Sequence, residues 1–255
     1  MNKSLKKSFK NKKKIIAYWI TRFDLSTLEI TLKTEAFDCY VVDMEHSSIN
    51  YQNLEEMIRL IDAYQKPTLV RIEKVGEKNI SKSLDLGASG IIAPNINSII
   101  DLNELIDFVY YPPKGKRGVG LSRANEHGKT FNKYFKSFNS SVVIIPMIEN
   151  IKAFQSINQI VQNKNIDAVL IGPYDLSSSI GVPGKFNSNK FKNIMKKILT
   201  AVKKQKLSCG LHLVQTEKKS IKSIFKQGYN FIALYTDIQI FIDGMKDKLK
   251  LIKKV

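Results

Sequence analysis

"CYVVDMEHSSINYQNLEEMIRLIDAY", residues 39–64, contains one complete structural unit and the chemistry at its turning point. The apolar, β-branched run at its start is short enough for a strand buried on both faces. From about residue 52 to 64 the apolar residues recur at helical spacing. Between the two segments stand Asp43, Glu45 and His46. A strand that only filled a core would not stop on three ionisable side chains.

The same unit recurs along the chain. Apolar runs "KIIAYW", "CYVVDM", "TLVRI", "GIIAPNI", "VVIIPMI", "AVLIGP", "LSCGLHLV" and "FIALYT" are separated by helical patterns at 26–36, 52–64, 77–86, 98–109, 151–163, 188–205, 216–227 and 238–252. Several of these open on a cap-like residue, as at Asn150, Ser188 and Thr216. Strict alternation of strand and helix implies a parallel sheet, and eight units imply closure into a (β/α)8 TIM barrel, with an open doubly wound sheet as the alternative. No Pro/Gly/Ser linker divides the 255 residues, so one barrel domain is expected, with a short, partly frayed, lysine-rich leader over about 1–13. The one long irregular stretch, "YPPKGKRGVGLSRANEHG" (111–128), is expected to be functional because of its length.

Composition narrows the classes. No apolar run approaches the roughly 18 residues of a membrane span, and the N-terminal "IIAYWI" is too short for a signal segment, which suggests a cytoplasmic protein with no membrane partner. Cys39 and Cys209 match no metal or redox spacing and read as small buried hydrophobes. The net charge of +18 raises the question of nucleic acid. Yet among the 41 basic residues the arginines are only Arg22, Arg59, Arg71, Arg117 and Arg123, and the lysines fall on helix faces without interleaved aromatics. No specific nucleic-acid partner is expected.

In a barrel of this kind the chemistry lies at the C-terminal ends of the strands. Polar residues at those points are Asp43, Glu45, His46, Arg71, Glu73, Glu149, Asp175, His212 and Asp237. Glu149 and Asp175 directly follow apolar runs in consecutive units, and neighbouring strands lie about 4.8 Å apart, so both are placed to hold one hard divalent cation. Such an ion keeps positions open for a 2-oxo acid and stabilises the enolate formed beside it. Arg71 offers permanent donors to the same oxyanion, His46 is the natural proton carrier, and an Asp such as Asp85 is a candidate to orient it. Asp43 and Glu45 are assigned the supporting role of fixing the loop, the ion's waters or Arg71. In "IGPYDLSSSIGVPG" the turn through Gly172, Pro173 and Tyr174 presents main-chain N–H groups suited to a carboxylate.

These stretches, with "LDLGASGIIAPNINS", "IPMIEN" and "IDAVLIGPYDLSSSIGVPG" in order from about residue 15 to 245, resemble the HpcH/HpaI aldolases, class II pyruvate-dependent enzymes typified by 2,4-dihydroxyhept-2-ene-1,7-dioate aldolase. The resemblance implies a (β/α)8 barrel, assembled as a homo-oligomer (a hexamer of paired trimers, or a trimer) whose last helix packs on a neighbour. It implies reversible cleavage of a 4-hydroxy-2-oxo acid into pyruvate and an aldehyde through a metal-stabilised pyruvate enolate. Mg2+ or Mn2+ is the expected cofactor, with Co2+ a further option. By that resemblance Glu149 and Asp175 are metal ligands, His46 transfers the proton with Asp85 as its carboxylate partner, and Arg71 binds the oxo or enolate oxygen. Trp19 takes an aromatic-rich position closing the first strand. Met147 stands where some relatives carry Gln near the metal, and "CGLHLVQT" (209–216) diverges where the acceptor pocket is shaped, leaving His212 either a pocket residue or a filler. Related alternatives are a CoA-thioester lyase or an oxaloacetate decarboxylase using the same enolate site, and, outside enzymes, a lysine-rich binding or assembly module.

Overall fold

Short β-branched runs become strands because their side chains pack well on both sides of a parallel sheet. A computed structural model, which describes residues 3–213 and 221–252, has eight of them. They are β1 (Ile15–Ile20), β2 (Cys39–Asp43), β3 (Thr68–Arg71), β4 (Gly90–Ala93), β5 (Val143–Ile148), β6 (Ala168–Ile171), β7 (Ser208–Leu213) and β8 (Phe231–Thr236). All pair in parallel, in chain order, and β8 closes on β1. The closed barrel excludes the open sheet. The helices among the described residues are α1 (Lys3–Lys10), α2 (Leu25–Lys33), α3 (Tyr51–Ala63), α4 (Glu77–Asp85), α5 (Ile99–Val109), α6 (Phe131–Phe138), α7 (Ile151–Gln155), α8 (Ile157–Gln162), α9 (Pro173–Ser179), α10 (Asn189–Lys204), α11 (Ile221–Gln227) and α12 (Asp237–Ile252).

Caps set several helix starts. Asn150 accepts from the Ala153 N–H at 2.9 Å and Ser188 from the Phe191 N–H at 3.3 Å, as expected of both residues. The proposed cap Thr216, and Val214 to Thr216 of the divergent stretch, lie outside the described residues. The single helix expected over 151–163 is two, α7 and α8, joined at Ser156.

Strand alternation sorts the side chains into two cores. Outward residues such as Tyr40, Val42, Val70 and Ile91 meet the helices, while Ala17, Trp19, Val41, Leu69, Ile145, Met147, Leu170 and Phe231 fill the barrel. Cys39 and Cys209 are free and fully buried.

The lysine-rich leader is not frayed over Lys3–Lys10. It forms α1, which closes the N-terminal mouth of the barrel. Leu5 and Phe9, one turn apart, belong to the barrel's interior core, and Phe9 meets Phe231 edge-on at 5.2 Å. Ser208 Oγ donates to the Phe9 carbonyl at 2.7 Å, and Lys6 Nζ donates to Asp167 and to the Val142 carbonyl, each at 2.8 Å. Lys7 and Lys10 face outward, Lys6 reaches back to the barrel wall, and Leu5 and Phe9, four apart, face in.

The direction of the helices corrects a second expectation. Each runs back against the strands, so a residue ending a helix lies at the opposite mouth from one ending a strand. Asp85 is the last residue of α4, just before Ser89 bonds through its N–H to Thr68, the first residue of β3. The stretch 111–128 follows α5 and lies at that end too. There the Arg117 guanidinium pairs with Asp85 and lies over the Tyr111 and Phe138 rings, 4.6 and 4.4 Å away. Within this chain the stretch thus packs at the N-terminal end of the barrel.

Candidate active site

At the other mouth, the inward parity that fills the barrel places polar side chains in its last layer. Asp43 and Arg71 are register partners on β2 and β3. The Asp43 carboxylate receives Nε of Arg71 at 2.9 Å and a second, shorter bond from Nη2. It also accepts from Trp19 Nε1 at 3.1 Å and from the N–H groups of Glu45 and His46 at 3.0 and 3.1 Å. Burial pushes this carboxyl up, but the Arg71 guanidinium, with the His46 N–H and the indole, outweighs it and holds Asp43 below the ordinary carboxylate range. Asp43 therefore does two things together. It fixes the guanidinium fork, and it folds the chain back over 45–46.

Arg71 is buried, its guanidinium 5.0 Å from the Trp19 ring and its Nη1 3.0 Å from Glu45. Beyond Glu45 the carboxylates accumulate. Glu149, 4% exposed, accepts from the Asn95 N–H at 2.6 Å. Burial, then repulsion from Glu45 and Asp175, pushes Glu149 up to about 7 against the opposing pull of the Asn95 N–H and Arg71. Glu45 is likewise pushed up to about 7, first by burial and then by Asp43 and Asp175, with Arg71 opposing. Its buried Oε2 is the oxygen that faces Arg71 Nη1, an ion pair without a well-aligned hydrogen bond. Asp175 stands exposed in the first turn of α9.

Gly172 makes this cluster sterically feasible. A Cβ there would stand 3.0 Å from Oε2 of Glu149 and 3.2 Å from Cε of Met147. Any side chain at 172 would displace the carboxylate that sequence and position single out. Pro173 opens α9, and because the first intrahelical bond runs from Leu176 to Gly172, the N–H groups of Tyr174 and Asp175 remain free of helix partners.

Of the residues singled out from sequence, Trp19, Asp43, Glu45, Arg71, Glu149, Gly172 and Asp175 are brought together, with Met147 buried beneath Gly172. His46 lies on the exposed rim, held by its main chain, its imidazole without a partner among the described residues. Asp85 is not its neighbour in this chain. His212 lies in the inner layer, its ring stacked 4.2 Å from Trp19 at 22°. Two residues escaped the sequence reading. Asn95, in the left-handed region at φ 56°, turns its N–H to Glu149, and Tyr235, at φ 51°, bonds His212 through its main chain. A polar residue two positions past the β4 run was the available signal for Asn95.

A closed (β/α)8 barrel that gathers four carboxylates and one buried guanidinium at its C-terminal mouth has the architecture of a barrel enzyme. The sequence matches the HpcH/HpaI aldolase/citrate lyase family over residues 17–244, and the chain belongs to that family. It is similar to the 2-keto-3-deoxy-L-rhamnonate aldolase of Salmonella gallinarum, 26% identical over 242 residues that cover 94% of this chain and 89% of the relative. By family and relative alike it is a carbon–carbon lyase. Among solved structures, an HpcH/HpaI aldolase/citrate lyase family protein from Burkholderia cenocepacia J2315 superposes with a TM-score of 0.92 at 22% identity, covering 99% of this chain and 100% of the other. Protein CITE of Mycobacterium tuberculosis, crystallised with magnesium and pyruvate, shares the fold at a TM-score of 0.54 and 12% identity, covering 90% and 88%.

Proposed function

We propose that the protein is a divalent-cation-dependent aldolase that reversibly cleaves a 4-hydroxy-2-oxo acid into pyruvate and an aldehyde. The observation that carries this reading is the acid cluster at the C-terminal mouth, where Glu149, 4% exposed and bonded to the Asn95 N–H, and Glu45 stand with Asp175 beside the single buried guanidinium of Arg71. The donor set fits Mg2+ or Mn2+, because it consists of carboxylate oxygens alone and Gly172 leaves space around Glu149 Oε2. Glu149 and Asp175 would hold the ion. With two carboxylates as its protein ligands, the ion would keep positions for a chelating substrate. Bound there, such an ion would supply Lewis acidity to the 2-oxo acid.

The chain's own groups do the rest. Arg71, immobilised by Asp43 and packed against Trp19, directs its remaining N–H groups at the oxygen that gains charge as the bond breaks. The N–H groups of Tyr174 and Asp175 receive the substrate carboxylate. His46, at the rim and open to solvent, takes the proton from the substrate's hydroxyl and returns one in the synthetic direction.

Wild-type protein should exchange the methyl protons of pyruvate with D2O in the presence of Mg2+ or Mn2+ and without CoA. Glu149→Gln and Asp175→Asn should each lose that exchange and weaken Mn2+ binding while keeping the fold. Near-native exchange in either variant after chelation overturns the two-carboxylate site. Exchange or cleavage that requires a CoA thioester would favour the alternative lyase.

A further inference from the structure

One strand-end carboxylate plays no part in the chemistry above. Asp237 directly follows β8 and opens α12. The helix is capped by the residue before it, since Thr236 Oγ1 accepts the Gln239 N–H at 3.1 Å. Asp237 accepts from the Ile238 N–H at 2.9 Å, but its other bonds leave the helix altogether. Oδ2 accepts the N–H groups of Thr21 and Arg22 at 3.0 and 2.9 Å, and Oδ1 receives a shorter bond from the Thr21 hydroxyl. One carboxylate thus joins the end of the last strand to the chain leaving the first.

Those bonds begin where main-chain pairing stops. The ladder between β1 and β8 runs from Ile15–Phe231 to Tyr18–Leu234 and then slips by one residue, so that Trp19 stands opposite Thr236. The residue left over is Tyr235, in the left-handed region at φ 51°. A bulge of this kind ends pairing and re-aims the chain beside it. Trp19–Thr236 is the last pair of the ladder, and beyond it the Asp237 carboxylate supplies the next rungs.

What this clamp holds is Trp19, two residues or about 7 Å along the strand from Thr21. Trp19 is fully buried; its indole N–H bonds Asp43 at 3.1 Å, and the Arg71 guanidinium lies 5.0 Å from its ring. The His212 ring stacks on it at 4.2 Å and is held in turn by the main chain of Tyr235. The bulge and the carboxylate at the end of β8 therefore converge on the same indole. A donor aimed at a developing oxyanion works only over a narrow range of positions, and a misplacement of about 1 Å can cost roughly a hundredfold in rate. Asp43 grips Nε and Nη2 of Arg71, while the indole limits how the guanidinium plane can tilt. An indole moving with an unanchored end of β1 would release that limit.

We infer that Asp237 is a positioning residue for the reaction: it anchors the end of β1 to β8, thereby fixing Trp19 and, through the indole, the aim of Arg71. This rests on the role given to Arg71 in the aldolase reading above and adds to it the group that holds the guanidinium's wall in place. The competing account is a carboxylate whose charge simply favours the N-terminus of α12.

Trp19 is the only tryptophan in the chain, so its fluorescence reports on the clamp directly. Substitutions at 237 separate position from charge. Asp237→Asn keeps the length and an oxygen for both N–H groups but loses the charge. Asp237→Glu keeps the charge but is one methylene longer, and Asp237→Ala keeps neither. Asp237→Ala and Asp237→Glu should move Trp19 emission to longer wavelength and open it to acrylamide quenching. Both should lower kcat for Mg2+-dependent exchange of pyruvate methyl protons by roughly tenfold to a hundredfold, with KM for pyruvate changed far less. Asp237→Asn should recover most of the emission and of the rate. Wild-type emission and kcat in Asp237→Glu overturn the inference, and so does a greater loss in Asp237→Asn than in Asp237→Glu, which would assign the residue to the charge of the helix. Displaced emission with wild-type kcat, or lowered kcat with wild-type emission, breaks the route through the indole and overturns it as well. If Asp237→Ala does not fold, the order of the other two variants still decides. Exchange by the wild type separates the two levels. Its absence would sink the aldolase reading and this inference with it, whereas normal exchange by the wild type beside any of the contrary variant results sinks the inference alone.

Discussion

Asp43 and His46 are three residues apart, yet they stand in opposite physical situations, and substitution separates them. Asp43 is buried and bonded to Arg71, Trp19 and two main-chain N–H groups. Asp43→Asn removes the charge that compensates the guanidinium while keeping the shape. Breaking a buried pair from one side destabilises by about 3–5 kcal/mol. A urea titration is expected to show a loss of that order together with near-complete loss of turnover, and a variant of wild-type stability would mean that Arg71 is held by something else. His46 is exposed, so His46→Ala should shift stability by no more than about 0.5 kcal/mol. If it carries the proton, the same change should lower aldol cleavage by roughly 10²–10⁴-fold with Mn2+ affinity retained. A His46→Ala enzyme that loses the ion, or one that keeps full turnover, would remove it from the proton path.

At the scale of elements, α1 makes the sharpest prediction, because composition and structure disagree about it. A lysine-rich leader loosely attached to the barrel would tolerate any substitution. The observed helix buries Phe9 at 1% exposure and Leu5 at 3% against the strand starts. Phe9→Ala should therefore cost about 3–5 kcal/mol, the usual range for emptying a packed aromatic site. Unchanged thermal unfolding of that variant would restore the loose leader. Eight residues with two apolar positions carry too weak a period against a run of lysines to announce α1, whereas the eight strands are legible because each is a dense apolar run bounded by polar turns. The site was legible to the same extent. Asp43 and Arg71 end strands, Glu149 directly follows one, and Asp175 opens the helix after the next, so their mouth of the barrel followed from order along the chain. Asp85 ends a helix, and sequence proximity to the next strand concealed that helices return the chain to the opposite mouth. Asn95 and Tyr235 act through main-chain groups at positive φ, which side-chain identity does not announce.

For the whole molecule, the least satisfied element is α12. Its 16 residues include none that are buried, and Phe241, Met245, Leu249 and Ile252 recur at spacings of four, four and three, forming a stripe along one side. An isolated helix gains its stability in water mainly from packing such a stripe, and here the described residues of the same chain do not cover it. The homo-oligomer that the family resemblance implies, with this last helix docked on a neighbouring copy, would supply the missing surface. Charge opposes the assembly, since each chain carries +18 and like-charged subunits repel. Raising the salt from low to physiological concentration screens that repulsion to within about 8–10 Å, so the oligomer should become more stable with salt, opposite to the behaviour of an assembly held by ion pairs. Light scattering after gel filtration is expected to find multiples of the 29.0 kDa chain at micromolar concentration, with Met245→Glu shifting the population towards the monomer. A wild-type protein that stays monomeric across that salt range, or a Met245→Glu variant that assembles as well as wild type, would leave the α12 stripe without the partner that its pattern requires.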